Sequence, residues 1–163
     1  MARITLTPTF TVIPEGEYIF GIYDAVYDEE FGKMEIKLVT SKGLRHTERF
    51  MLRGQDDEPN AGAMTAYSLL ARAAIGDFDL EEIDHADIIG KYIRGVIVHT
   101  TRPSKKDPTK TVTFANLAYE KAHADGFEGE VSKSAQTLMQ EAAQKAKKAP
   151  VSAPDIDLDS LLG

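Results

Sequence analysis

The chain has neither cysteine nor tryptophan among its 163 residues. Without thiols it can build no disulfide, no thiolate zinc site and no cysteine nucleophile. It has no run of about 20 apolar residues, the length that spans a bilayer as a helix. Its opening, MARITLTPTFTVIPEGEY, lacks the charged-then-apolar pattern of a secretory leader. The expectation is a soluble, cytoplasmic protein without a membrane partner. Positive charge is also short: 19 Lys and Arg stand against 26 Asp and Glu, a formal net charge of -7. That balance works against nucleic-acid binding, whose affinity comes largely from neutralising phosphates, unless the acids are kept away from the binding face. They are clustered: Asp56, Asp57 and Glu58 in one loop, Asp77 to Asp87 in one connection, and Asp155, Asp157 and Asp159 near the C-terminus.

Signatures of catalysis are missing too. There is no G-x-S-x-G, no P-loop and no G-x-G-x-x-G. His46, His85, His99 and His123 are scattered, and only IDHAD places a histidine beside carboxylates. The acidic loops flank helix starts, where the helix dipole favours negative charge. A magnesium nuclease would need carboxylates converging from rigid elements. No enzyme, metal or cofactor is expected.

What is present reads as β structure. EYIFGIYDAVY (17–27) is aromatic and β-branched. KMEIKLVT (33–40) alternates Met34, Ile36 and Leu38 against Lys33, Glu35 and Lys37, the period of two of a half-buried strand. LRHTERFML is a third strand, with Arg45, Thr47 and Arg49 on one face and Phe50 and Leu52 on the other. Asn60 then caps an alanine-rich helix that Gly76 stops. After a polar connection whose Ile88 and Ile89 tuck into the core, KYIRGVIVHTT and TKTVTFANLAYEK are the fourth and fifth strands, joined by the basic hairpin loop RPSKKDPTK. Three strands, a helix and two strands form the layout of the five-stranded oligonucleotide-binding β-barrel; another small α+β fold shares this order. The expected organisation is a nucleic-acid-binding domain at 1–125, a linker with a weak amphipathic helix at 126–149, and a flexible acidic tail at 150–163. The weak helix either folds back on the domain or lies in solvent.

In that barrel the faces of strands two and three, with the loops joining strands one to two and four to five, carry the ligand. Lys33, Lys37, Arg45 and Arg49 alternate outward together there, and Arg102, Lys105, Lys106 and Lys110 crowd the hairpin loop. Bases need π-faces to stack on; Tyr23 and Tyr27, of one parity on the first strand, and Phe31 in the first loop supply them. The competing reading is a solvated sheet face with core-capping tyrosines. The ending, SAPDIDLDSLLG, interleaves Asp155, Asp157 and Asp159 with Leu158, Leu161 and Leu162. Such a peptide places apolar side chains in a partner's pocket while its acids meet a basic rim; the plainer reading is a solubilising tail.

PEGEY leading into a strand, the strand pair with its glycine turn, the alanine-rich helix, and DIIGKYIRGVIVH before a hairpin resemble small phage and prophage proteins that bind single-stranded DNA. The likeness covers roughly residues 10 to 120. The tail is similar to those of bacterial and phage single-stranded-DNA-binding proteins, although it ends in Leu-Leu-Gly rather than an aromatic tip. The resemblance implies a non-enzymatic binder of single-stranded DNA in phage replication or recombination within a bacterial host cell, its tail recruiting replication or recombination proteins. Self-association stays open. The alternative class is a protein–protein adaptor or structural phage component using the same barrel.

Overall fold

A computed structural model describes residues 12–54, 56–118 and 120–148. The elements run β1 (Gly16–Asp28), β2 (Lys33–Thr40), β3 (Arg45–Met51), α1 (Ala61–Ile75), β4 (Tyr92–Pro103), β5 (Thr111–Leu117), β6 (Ala122–Ala124) and α2 (Lys133–Lys148), with one 3-10 turn at His85–Ile88. The strands form a six-stranded antiparallel sheet in the order β3-β2-β1-β4-β5, with β6 also paired to β4. The mainly-β architecture is as the sequence implies. The expected five-stranded barrel is present only as an open sheet: no ladder joins β3 to β5 among the described residues. The acidic tail lies outside them.

β1 shapes the sheet because it serves two partners. Its residues 20–28 pair with β2 and its residues 16–21 with β4. A register shift between Ile22 and Asp24 marks a bulge that bends the strand. Phe20, Ile22, Ile36, Leu38, Ile93 and Ile97 fill one side of the sheet, where α1 adds Leu70 and the 3-10 turn adds Ile88, all fully buried. Burying each such side chain contributes about 1.5–3 kcal/mol. α1 has the ends its sequence announces. The Asn60 side chain accepts a hydrogen bond from Ala63 N at 3.3 Å, and Gly76, left-handed at φ 83°, donates its N–H to Arg72 O at 2.8 Å.

The acidic loops do something other than complement helix dipoles at α1, whose first turn holds no acid. Asp56 accepts from Glu58 N at 3.1 Å, Asp57 pairs with Arg53 at 2.8 Å, and Asp77 accepts from Asp79 N at 3.0 Å. They hold their own turns. Asp84 caps the 3-10 turn through Ala86 N at 3.0 Å.

α2 folds back on the sheet. Ala135, Met139 and Ala142 recur at helical spacing and are buried, Met139 and Ala135 clustering with Val39 of β2. The approach is close because position 21 is glycine: a Cβ there would overlap Met139 Sδ and come within 2.8 Å of its Cε. Gly21→Ala should therefore destabilise the fold by about 1–3 kcal/mol, and the same change should cost less in a Met139→Ala background, itself weakened by the loss of a buried side chain. Chemical denaturation of the single and double variants tests this; equal stability of Gly21→Ala and the parent would contradict it.

The short strand β6, which sequence patterning misses, is fastened by His123. Its Nδ1 lies 2.8 Å from Ala73 O in the last turn of α1 and its Nε2 lies 3.0 Å from Asp125 Oδ1. The imidazolium donates at both nitrogens, so the Ala73 carbonyl first, and then Asp125, raise its pKa above the ordinary 6.5. The folded state thus binds the proton more tightly than the unfolded chain. This contribution is fully present below pH 6.5 and fades as pH rises through the folded-state value. Denaturation midpoints between about pH 6 and 9 should fall less steeply with pH for His123→Gln than for the parent; parallel curves would contradict the assignment.

Candidate nucleic-acid interface

Register brings four of the expected cations together. Across β2 and β3, Lys33 faces Met51, Glu35 faces Arg49, Lys37 faces Thr47 and Val39 faces Arg45. Lys33, Lys37, Arg45 and Arg49 therefore share the face opposite the core. That face is not purely cationic. Glu35 stands within it, 3.5 Å from Lys33 Nζ and 3.4 Å from Arg49 Nε. Asp24 of β1 sits directly across from Lys37. Among the described residues Lys37 has no ion-pair partner.

The aromatic residues divide. The Arg45 guanidinium lies 5.8 Å from the Tyr23 ring centroid, on the cationic face. Burial raises the Tyr23 pKa, opposed by the Arg45 charge and hydrogen bond. Tyr27 does not share that face, which corrects the parity expectation. The bulge shifts the alternation by one residue, so Tyr27 comes opposite Met34, packs against the core and approaches the His85 ring at 6.2 Å. Phe31 is 62% exposed in the β1–β2 turn, its N–H bonded to Asp28 Oδ1 at 3.3 Å.

The β4–β5 hairpin projects from the sheet, and Arg102, Lys105, Lys106 and Lys110 are all exposed on it. Its loop is tied by Asp107, which accepts from Thr109 N at 3.1 Å and Thr109 Oγ1 at 2.6 Å while its own carbonyl takes Lys110 N at 2.9 Å. The two bonds from Thr109 lower the Asp107 pKa.

Curvature then does what a ladder does not. A cleft of about 260 Å³ separates β3 from the hairpin, with Thr47 and Arg49 on one wall and Thr100, Arg102, Phe114 and Asn116 on the other. Phe114, which sequence reasoning did not single out, is 47% exposed in this cleft. Its register opposite Thr100, two pairs from Arg102–Val112, puts ring and guanidinium on one face of the ribbon. The signal was legible in TVTFANL, where Val112, Phe114 and Asn116 share one parity. Asn116 Nδ2 donates to Thr100 Oγ1 at 2.9 Å, holding that wall flat.

Glu48 spans the bottom of the cleft. Its Oε2 accepts from Leu117 N of β5 at 3.1 Å and lies 2.7 Å from His46 Nε2. Burial lowers the Lys121 pKa, and the Glu48 charge nearby opposes that shift. One side chain thus joins the two sheet edges where backbone pairing is absent. No group of three or more histidine or acidic side chains is placed to hold a metal among the described residues. No helix there is long and apolar enough to cross a membrane. Compared with known protein families, curated proteins and solved structures, the chain returns no match.

Glu48→Ala should cost about 1–3 kcal/mol, because it strands a shielded N–H and removes a charged acceptor. It should also speed hydrogen exchange at Leu117 selectively. Unchanged Leu117 protection in the variant would show that the seam does not depend on this carboxylate.

Proposed function

We propose that the chain binds single-stranded DNA with little sequence preference and catalyses no reaction. The observation that carries this reading is the cleft between β3 and the β4–β5 hairpin, where Arg49, Arg102 and the exposed Phe114 converge. Guanidinium groups meet phosphates bidentately, and an exposed ring accepts any base on its π-face. The bases of a single strand are free to stack on a ring in this cleft of about 260 Å³, whereas those of a duplex are already stacked on one another. Lys33, Lys37 and Arg45 extend a cationic track along the adjoining sheet face, and the lysines of the hairpin loop extend it at the other end.

The strand path β3-β2-β1-β4-β5, with its ends meeting at Glu48 and Leu117, is compatible with a partly open five-stranded barrel of the oligonucleotide-binding type, to which β6 is an addition. The sequence resemblance to phage and prophage single-stranded-DNA-binding proteins supports the same function and a place in phage replication or recombination. On this reading the segment holding Asp155, Asp157, Leu158, Asp159, Leu161 and Leu162, which lies outside the described residues, docks replication or recombination proteins.

Fluorescence anisotropy with labelled oligothymidylate at several salt concentrations tests the reading. The parent's log–log slope should be about -0.7 for each phosphate neutralised. Arg49→Ala with Arg102→Ala should make that slope shallower by about 1.4, two phosphates at 0.7 each. Phe114→Ala should cost about 1–3 kcal/mol and leave the slope unchanged. Salt-independent binding, no binding, or parent-like affinity in these variants would overturn it.

A further inference from the structure

Asp24 is a carboxylate in the wrong place for a phosphate-binding face: it stands opposite Lys37, beside the Tyr23–Arg45 pair, and is only 18% exposed. It is matched by a residue far away in sequence. Lys145 of α2 reaches Asp24 Oδ1 at 2.8 Å, and that oxygen also accepts from Ala25 N at 2.9 Å. We propose that α2 completes the nucleic-acid surface, with Lys145 as a positioning residue that neutralises Asp24 and leaves Lys37 and Arg45 to act on phosphates.

Three features support this role over that of a passive linker. α2 is docked by the Met139–Gly21 contact, so its C-terminal half is aimed at residue 24 rather than left to wander. The Asp24 oxygen is held by a backbone N–H as well as by Lys145, so the carboxylate stays put if the lysine is removed. Lys145 is 56% exposed while it pairs with Asp24, so the neutralisation takes place at the surface that a nucleic acid would meet. Removing Lys145 takes the pair from net zero to one fixed negative charge beside the phosphate track, and that charge repels nucleic acid. Glu35 needs no such helper, because Lys33 and Arg49 of the sheet itself flank it.

The inference rests on the single-stranded-DNA reading, and one series of titrations separates the two. Lys145→Gln should weaken oligothymidylate binding about three- to tenfold at low salt, with a smaller loss at high salt. Lys145→Arg should restore it. Asp24→Asn alone should bind as tightly as the parent or more tightly, and in the Asp24→Asn background Lys145→Gln should lose distinctly less than it does alone. Thermal denaturation of each variant checks that α2 stays docked. If the parent binds and Lys145→Gln binds equally well, or if Asp24→Asn gives no relief, the role assigned to Lys145 is wrong while the DNA reading stands. If the parent binds no single-stranded DNA, both are wrong.

Discussion

A single thirteen-residue strand has to satisfy two partners that do not lie in one plane. β1 gives its second half to β2 and its first half to β4, and it accommodates both by inserting one extra residue at the Ile22–Asp24 step. Much else follows from that bend. The sheet curls until β3 and β5, the two ends of its path, come within reach of one glutamate side chain. The same extra residue decides which tyrosine joins the cationic face: Tyr23 lies beside Arg45, and Tyr27 comes opposite the buried Met34.

Closure by a side chain differs in kind from closure by a ladder. A ladder would fill the space between β3 and β5 with backbone hydrogen bonds and leave no room between the strands. The Glu48 carboxylate joins the edges at one point and leaves a gap beside it, lined by Arg49, Arg102 and Phe114. The absence of pairing between β3 and β5 among the described residues is what leaves the cleft. The overall charge of -7 is compatible with it because many acids are used locally, in turns at Asp56, Asp77 and Asp84, and because Glu35 and Asp24 are each met by a cation.

The parts of this architecture set by local chemistry were legible in the sequence. The alternation of KMEIKLVT gives β2 and its faces, and with β3 in register it places Lys33, Lys37, Arg45 and Arg49 together. Asn60 and Gly76 bound α1 because capping is a property of a few adjacent residues. What was not legible depends on distant pairs. A bulge has no composition of its own, so the parity of Tyr23 and Tyr27 misled. The docking of α2 rests on Gly21 and Met139, and neither residue announces the other. Phe114 was visible as an outward aromatic, but its partner Arg49 comes from a strand about 65 residues earlier. Three residues at β6 are too few to form a pattern.

The central claim is that single-stranded DNA occupies the gap between β3 and the β4–β5 hairpin. Mapping backbone amide shifts by NMR during titration with a short oligothymidylate tests it most directly. The account predicts that the largest changes fall within residues 45–51 and 98–117, with few on α1 and the 3-10 turn across the core. Changes centred on α1 and the 3-10 turn, or none at saturating oligonucleotide, would contradict it.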